Sequence, residues 1–164
     1  MDASDVWHFI QWMHFLALSV WIGGITFLSS IAAPAAHRSM AAKSVAGQIV
    51  GNMLKKFNGA ELTACLILIV TSFSALRFIQ FKKEGCWVMI GVILLMACIA
   101  GFYTFALTPQ MDSIKEQTPG LDALSADHSA KVRFNRFHRT YVRLMGLNLM
   151  LALGVLYGSV VLFK

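Results

Sequence analysis

Charge is scarce in this sequence. Asp, Glu, Lys and Arg make up 13% of the residues, about half the roughly 25% of an ordinary soluble domain. Hydrophobic residues reach 57% and the mean hydropathy is +0.66. A soluble fold of this size has too little interior to hide that much apolar surface. The shortage therefore excludes a disordered chain and an ordinary cytosolic enzyme, and it implies a membrane. Cysteine is also sparse. Cys65, Cys86 and Cys98 are odd in number and show no C-x-x-C spacing, so neither a disulfide framework nor a zinc site is indicated. A nucleophile–base pair and a phosphate-binding loop are missing as well, which points away from an enzyme.

Long apolar runs take the place of the missing charge. A helix needs about 20 mainly apolar residues to cross a bilayer. Four stretches qualify: residues 6–34, 60–81, 86–108 and 140–163. The first ends near Pro34 and the third near Thr108-Pro109. The expected fold class is all-α, an integral membrane four-helix bundle forming a single domain over residues 1–164. The first stretch carries Asp2 and Asp5 before it and no basic residue, so it reads as a span and not as a cleaved signal peptide.

Basic residues outnumber acidic ones fourteen to eight. In a membrane protein this surplus matches anionic lipid head groups, not nucleic acid. The termini and the second loop carry Arg77, Lys82, Lys83 and Lys164. The first and third loops and their flanks carry Arg38, Lys43, Lys55, Lys56, Lys115, Lys131, Arg133, Arg136, Arg139 and Arg143. Ten against four places these two loops in the cytoplasm and both termini outside, as in a bacterial inner membrane. A larger membrane complex or a homo-oligomer is compatible with this design.

Two connections have a pattern of their own. Val45, Ile49, Met53 and Phe57 recur every four residues, which is helical periodicity. It predicts an amphipathic surface helix between spans 1 and 2, over residues 40–57, capped by Ser39. Residues 110–130 are polar and read as a cytoplasmic loop. The fourth helix is expected to start well before the membrane. Phe134, His138, Tyr141, Met145 and Asn148 follow a 4-3-4-3 seam. Arg133, Arg136, Arg139 and Arg143 fall within an arc of about 120° on another face.

Ionisable residues at membrane depth are candidates for function. His14 lies about 10 Å into the first span by helical rise. It is expected to face the bundle as a neutral ring, with Gln11 as first partner and Asn148 as second. The depths of His14 and Asn148 differ by roughly 14 Å, so a direct bond needs a deeper first span or a bridging water. His14, with Asn148, is also the candidate cofactor site, as one axial ligand of haem b. No two histidines on different spans match in depth, which argues against a bis-histidine haem. Copper is the other cofactor considered, with Met13, Met145 and Met150 as soft ligands. Glu61, at the cytoplasmic end of the second span, is expected to pair with Arg139 or Arg143. Gln11, Glu61, Arg139 and Arg143 are thus the expected structural polar residues. His37, Glu61 and His138 form a candidate metal site. Ser19, Gly23, Thr26 and Ser30 share a small-residue face that predicts close helix packing.

The first span reads HFLALSVWIGGITFLSSIAAPAAHRSM. It is followed by AGQIVGNMLKKFNGAELTACLILIV, FYTFALTPQMDSIK and VRFNRFHRTYVRLMGLNLMLALGVLYG. In this order the segments resemble the transmembrane-protein-205-like domain family, small four-helix membrane proteins of unknown function. The most specific parts are His14-x6-Trp21-x-Gly23-Gly24, the TPQM end of the third span, and Phe137-His138-Arg139 with the later Asn148-Leu149. The resemblance implies an integral membrane fold and no established reaction. The first span is also similar to those of copper-resistance D-type proteins and of the HemJ-type protoporphyrinogen oxidase. The third span opens Gly85-Cys86-Trp87-Val88-Met89, without the histidine and lysine that follow the tryptophan in that oxidase. The functional expectation is a membrane protein without a catalytic motif, acting as an accessory or assembly subunit or a small transport-related module. A haem- or copper-handling protein and a HemJ-type oxidoreductase are the alternatives.

Overall fold

The computed structural model describes residues 2–79 and 83–163, with Lys43 and Asp122 by backbone alone. The described residues hold helices and no strand. Four helices are long and apolar enough to cross a membrane: α1 (Ala3–Ser39), α2 (Lys43–Ala75), α3 (Lys83–Gln117) and α4 (Ser129–Leu162). Each packs on its sequence neighbours, and α1 also packs on α4. The result is an up-and-down ring of four. One end carries the chain termini and the α2–α3 connection. The other, the loop end, carries the α1–α2 and α3–α4 connections.

The helices outrun the expected spans, for local reasons. Pro34 and Pro109 lack an N–H, and their rings crowd the carbonyl four residues back. Instead of stopping, α1 and α3 widen into π turns over Leu28–Ala32 and Tyr103–Leu107, the usual single-turn form of that structure. In α3 the Tyr103 carbonyl accepts both the Thr108 N–H and, at 2.9 Å, the Thr108 hydroxyl. The helices resume and reach Ser39 and Gln117. The polar loop of residues 110–130 is therefore much shorter than expected and contains a single 3-10 turn, Leu121–Ala123.

The separate surface helix is not formed. Its residues are the first half of α2, which runs unbroken through Asn58-Gly59-Ala60 into the span. Ser39 ends α1, and the residue before α2 is Ala42, which has no side chain able to cap. Val45 and Met53 are exposed and Ile49 is half-buried, while Ala46, Asn58 and Glu61 turn inward. The start of the stripe thus faces outward, and only Phe57, at its end, packs into the bundle. The extension of the second span through Gln80 and Phe81 lies outside the described residues.

Ser19, Gly23, Thr26 and Ser30 are also exposed, so this small-residue face packs on nothing in the bundle. The close approach uses the neighbouring glycine. A Cβ on Gly24 would lie 2.0 Å from the Phe57 ring, whereas one on Gly23 meets nothing within 4 Å. Cys65 and Cys86 are buried and free, as expected of small apolar fillers. Arg133, Arg136, Arg139 and Arg143 line the exposed side of α4, and Tyr141, Met145 and Asn148 its buried side.

Candidate functional site

The core is apolar except for two polar layers. The first lies toward the terminal end. His14 of α1 is fully buried. Its Nδ1 lies 2.9 Å from the Thr71 hydroxyl of α2, and its Nε2 lies 2.9 Å from the Ser159 hydroxyl of α4. The Thr71 hydroxyl also lies 2.8 Å from the Ile67 carbonyl, and that of Ser159 2.7 Å from the Val155 carbonyl; a neutral ring has one N–H, so one hydroxyl accepts from it and the other donates to it. One imidazole thus ties three helices together. Phe163 packs edge-on to the ring at 5.0 Å, and Trp7 in turn packs on Phe163 and Phe78.

His14 therefore faces the bundle as expected, but with other partners. Gln11 instead donates to the Phe163 carbonyl at 2.8 Å. Asn148 sits eleven residues before Ser159 on α4, about 16 Å by helical rise. That distance is the depth mismatch anticipated from the sequence, and the helix answers it by presenting Ser159 at the depth of His14.

The second layer lies toward the loop end. Glu61 of α2 is 1% exposed, and Asn148 and Tyr103 are fully buried. The Tyr103 hydroxyl and the Asn148 amide are the polar groups facing the Glu61 carboxyl. Asn148 Nδ2 donates to the Met96 carbonyl at 3.3 Å and to the Tyr103 hydroxyl at 3.4 Å. The Tyr103 ring lies 5.0 Å from that of Tyr141, whose hydroxyl donates to Asn58 Oδ1 at 2.8 Å. Glu61 Oε1 and Asn148 Oδ1 are buried and have no hydrogen-bond partner among the described residues.

Glu61 is not paired with arginine. The ion pair formed among the described residues is Lys55–Asp112, at 2.7 Å. Arg139 and Arg143 are exposed, and Arg139 Nε turns to the Asn135 carbonyl of its own helix. Helical geometry explains this. Each arginine is two residues from Tyr141, about 200° around the helix, so a helix that buries Tyr141 points both arginines outward. Nor do His37, Glu61 and His138 converge. The two histidines are exposed, Glu61 is buried, and no trio of His, Cys, Asp or Glu among the described residues is placed to hold a metal ion.

The residues do not fit a haem either. An axial ligand needs a ring nitrogen free to face iron, and both nitrogens of His14 are hydrogen-bonded. Asn148 is committed to the second layer. The methionines do not gather for copper: Met145 is buried in the α4 seam, whereas Met150, five residues on, is 66% exposed.

A cleft opens at the loop end above the second layer. Its volume is about 540 Å³, and it lies between the start of α2, the end of α3 and the start of α4. Asn58 and Tyr141 form part of its lining. The cleft therefore adjoins the Tyr141–Asn58 hydrogen bond, and the Tyr141 ring in turn packs on that of Tyr103. His37, Lys115 and His138 line it as well, so two of the three proposed metal ligands share this cleft with a lysine instead of with Glu61. Lys55 and Asp112 also line it. Their side chains are 48% and 32% exposed, and exposed pairs contribute little, about 0–1 kcal/mol. Asp112→Asn is expected to lower stability in detergent by no more than that; a larger loss would mean that the pair is sequestered.

Tyr103, Asn58, Thr71 and Ser159 are the site residues that sequence reasoning missed. Three of them had a usable signal. The α4 seam, continued past Asn148 in steps of four and three, arrives at Ser159. The α2 series Asn58, Glu61, Cys65, Leu68, Ser72 has the same 3-4 rhythm, and Thr71 adjoins it. Tyr103 offered none, because its inward position lies at the start of the π turn. No curated protein and no solved structure matches this chain. The family described as a domain of unknown function, DUF4149, matches residues 16–119, more than half of the chain, and the protein belongs to that family.

Proposed function

We propose that this protein is a small transport-related membrane module in which Glu61 exchanges a proton with the loop-end cleft. The supporting observation is the pair of buried, unpartnered acceptor oxygens, Glu61 Oε1 and Asn148 Oδ1. A buried carboxylate without a cation beside it costs several kcal/mol, and a proton on the carboxyl removes that cost. Tyr103, Tyr141 and Asn58 lie between Glu61 and the cleft, the two tyrosines meeting by their rings. Above Glu61 on α2, Thr71 is ten residues away, about 15 Å. Between the two polar layers stand Leu18, Trp21, Leu68, Ile93, Ala152 and Val155, all buried. The arrangement amounts to two polar stations separated by an apolar barrier. Within the family, the likeness to transmembrane-protein-205-like domains belongs to the same proposal.

The test is proton flux into vesicles containing entrapped pyranine, under an imposed pH gradient. Wild-type protein should dissipate the gradient faster than protein-free vesicles. Glu61→Gln should abolish the excess, while Lys55→Gln should leave it. Absence of flux from the wild type, or equal flux from Glu61→Gln, overturns the reading.

We further propose the bacterial inner membrane as its location, with both termini outside, on the strength of the ten-to-four basic imbalance. Single cysteines at Asp2 and Ser125, labelled in intact cells with an impermeant maleimide, should react at Asp2 only. Labelling at Ser125 alone reverses the orientation.

A further inference from the structure

We propose that the loop-end cleft binds the anionic head of an amphiphile, a phosphate-type group carried on an apolar stem. Its volume, about 540 Å³, lies within the usual range of small-molecule sites, about 300–1,000 Å³. The room exists because α2 turns glycines toward it. A Cβ on Gly47 would meet nothing within 4 Å, and one on Gly51 would find the Lys115 ammonium at 3.8 Å as its nearest neighbour. The walls are apolar, formed by Val50, Leu54, Met111, Leu121 and Phe134.

The charges in the cleft are unbalanced. Asp112 is the one acidic residue among those lining it, and it is bound to Lys55. Lys115, His37 and His138 form no ion pair among the described residues. The Lys115 ammonium lies over the Phe134 ring, 5.1 Å from its centroid. A cation on a ring face keeps its N–H donors free on the far side, where an oxyanion is favoured. His37 lies in the last turn of α1, so the cleft opens where the first helix ends. An amphiphile lying there sets its charged head beside the Lys115 ammonium, with the His37 and His138 rings as further polar neighbours, and its stem against the apolar wall.

The inference uses the walls and cations of the cleft and none of the proton chemistry at Glu61. Binding without flux would overturn the transport reading and leave this one standing. The test is native mass spectrometry of the full chain released from detergent, titrated with phosphatidate, phosphatidylcholine or inorganic phosphate. Phosphatidate should bind at least tenfold more tightly than phosphatidylcholine, and inorganic phosphate should fail to displace it. Lys115→Gln should weaken phosphatidate binding by roughly tenfold. Gly47→Leu fills the open space and should do the same, with a melting temperature no lower than wild type. Gly47→Ala, which adds one methyl group to a helix, should bind normally and melt slightly higher. Equal binding of the two lipids, displacement of phosphatidate by inorganic phosphate, or no effect of Lys115→Gln and Gly47→Leu overturns the proposal.

Discussion

Trp21→Ala should destabilise the bundle by about 3 kcal/mol, at the lower end of the range for truncating a buried aromatic residue. Trp21 is fully buried in the apolar barrier between the two polar layers. In detergent or lipid the separated helices still face hydrocarbon, so transfer from water contributes little. The loss comes from van der Waals contacts across the cavity. The indole Nε1 has no hydrogen-bond partner among the described residues, so the residue is held there by shape. Trp21→Phe should therefore cost far less, because it removes an unpaired donor while keeping a ring in place. Equilibrium unfolding in mixed SDS micelles measures both. A loss under about 1 kcal/mol for Trp21→Ala would mean that the barrier is loosely packed. Equal losses for both substitutions would mean that the indole N–H has a partner after all.

Trp21 also shows what the sequence made legible. It is seven residues from His14, two helical turns, and so on the same face. Four charge-free runs gave four helices, because burying charge in a bilayer is costly and leaves an unmistakable gap in composition. The seam of α4 was readable for the same reason: residues at 3-4 spacing must face a neighbour. Helix ends were less legible. Pro34 and Pro109 read as stops, yet a π turn absorbs each proline, and whether a helix stops or widens depends on its packing. The orientation of α2 was obscured because periodicity shows that a stripe exists but not which way it turns. Val45 and Met53 face outward while Phe57, one turn on, packs against the core. Glu61 was correctly singled out as unusual. Charge complementarity favours Arg139 and Arg143 as its partners, but helix angle decides: both lie on the face of α4 opposite Tyr141. His14 faces the bundle as its spacing predicts, but the α4 seam must be carried about three turns past Asn148 to reach its partner Ser159.

Ser159→Ala should cost more stability than His14→Phe, although His14→Phe removes two interhelical hydrogen bonds and Ser159→Ala only one. An interhelical hydrogen bond in a bilayer is worth about 0.6 kcal/mol on average. Stranding one buried polar atom costs about 1–3 kcal/mol. Ser159→Ala leaves His14 Nε2 buried without the hydroxyl it faces at 2.9 Å. His14→Phe strands nothing, because each hydroxyl lies beside a carbonyl of its own helix, Ile67 for Thr71 and Val155 for Ser159, and can donate its one proton there once the imidazole is gone. A phenyl ring also fits the edge-on contact with Phe163. The expected losses are about 1–3 kcal/mol for Ser159→Ala and for Thr71→Val, and under about 1.5 kcal/mol for His14→Phe, as for other volume-conserving core swaps. The combination His14→Phe with Ser159→Ala should be more stable than Ser159→Ala alone, since it removes the stranded nitrogen. All four variants unfold in the same SDS titration. A double variant weaker than Ser159→Ala would show that the imidazole contributes more than its hydrogen bonds, and the stranded-atom account of this layer would fail.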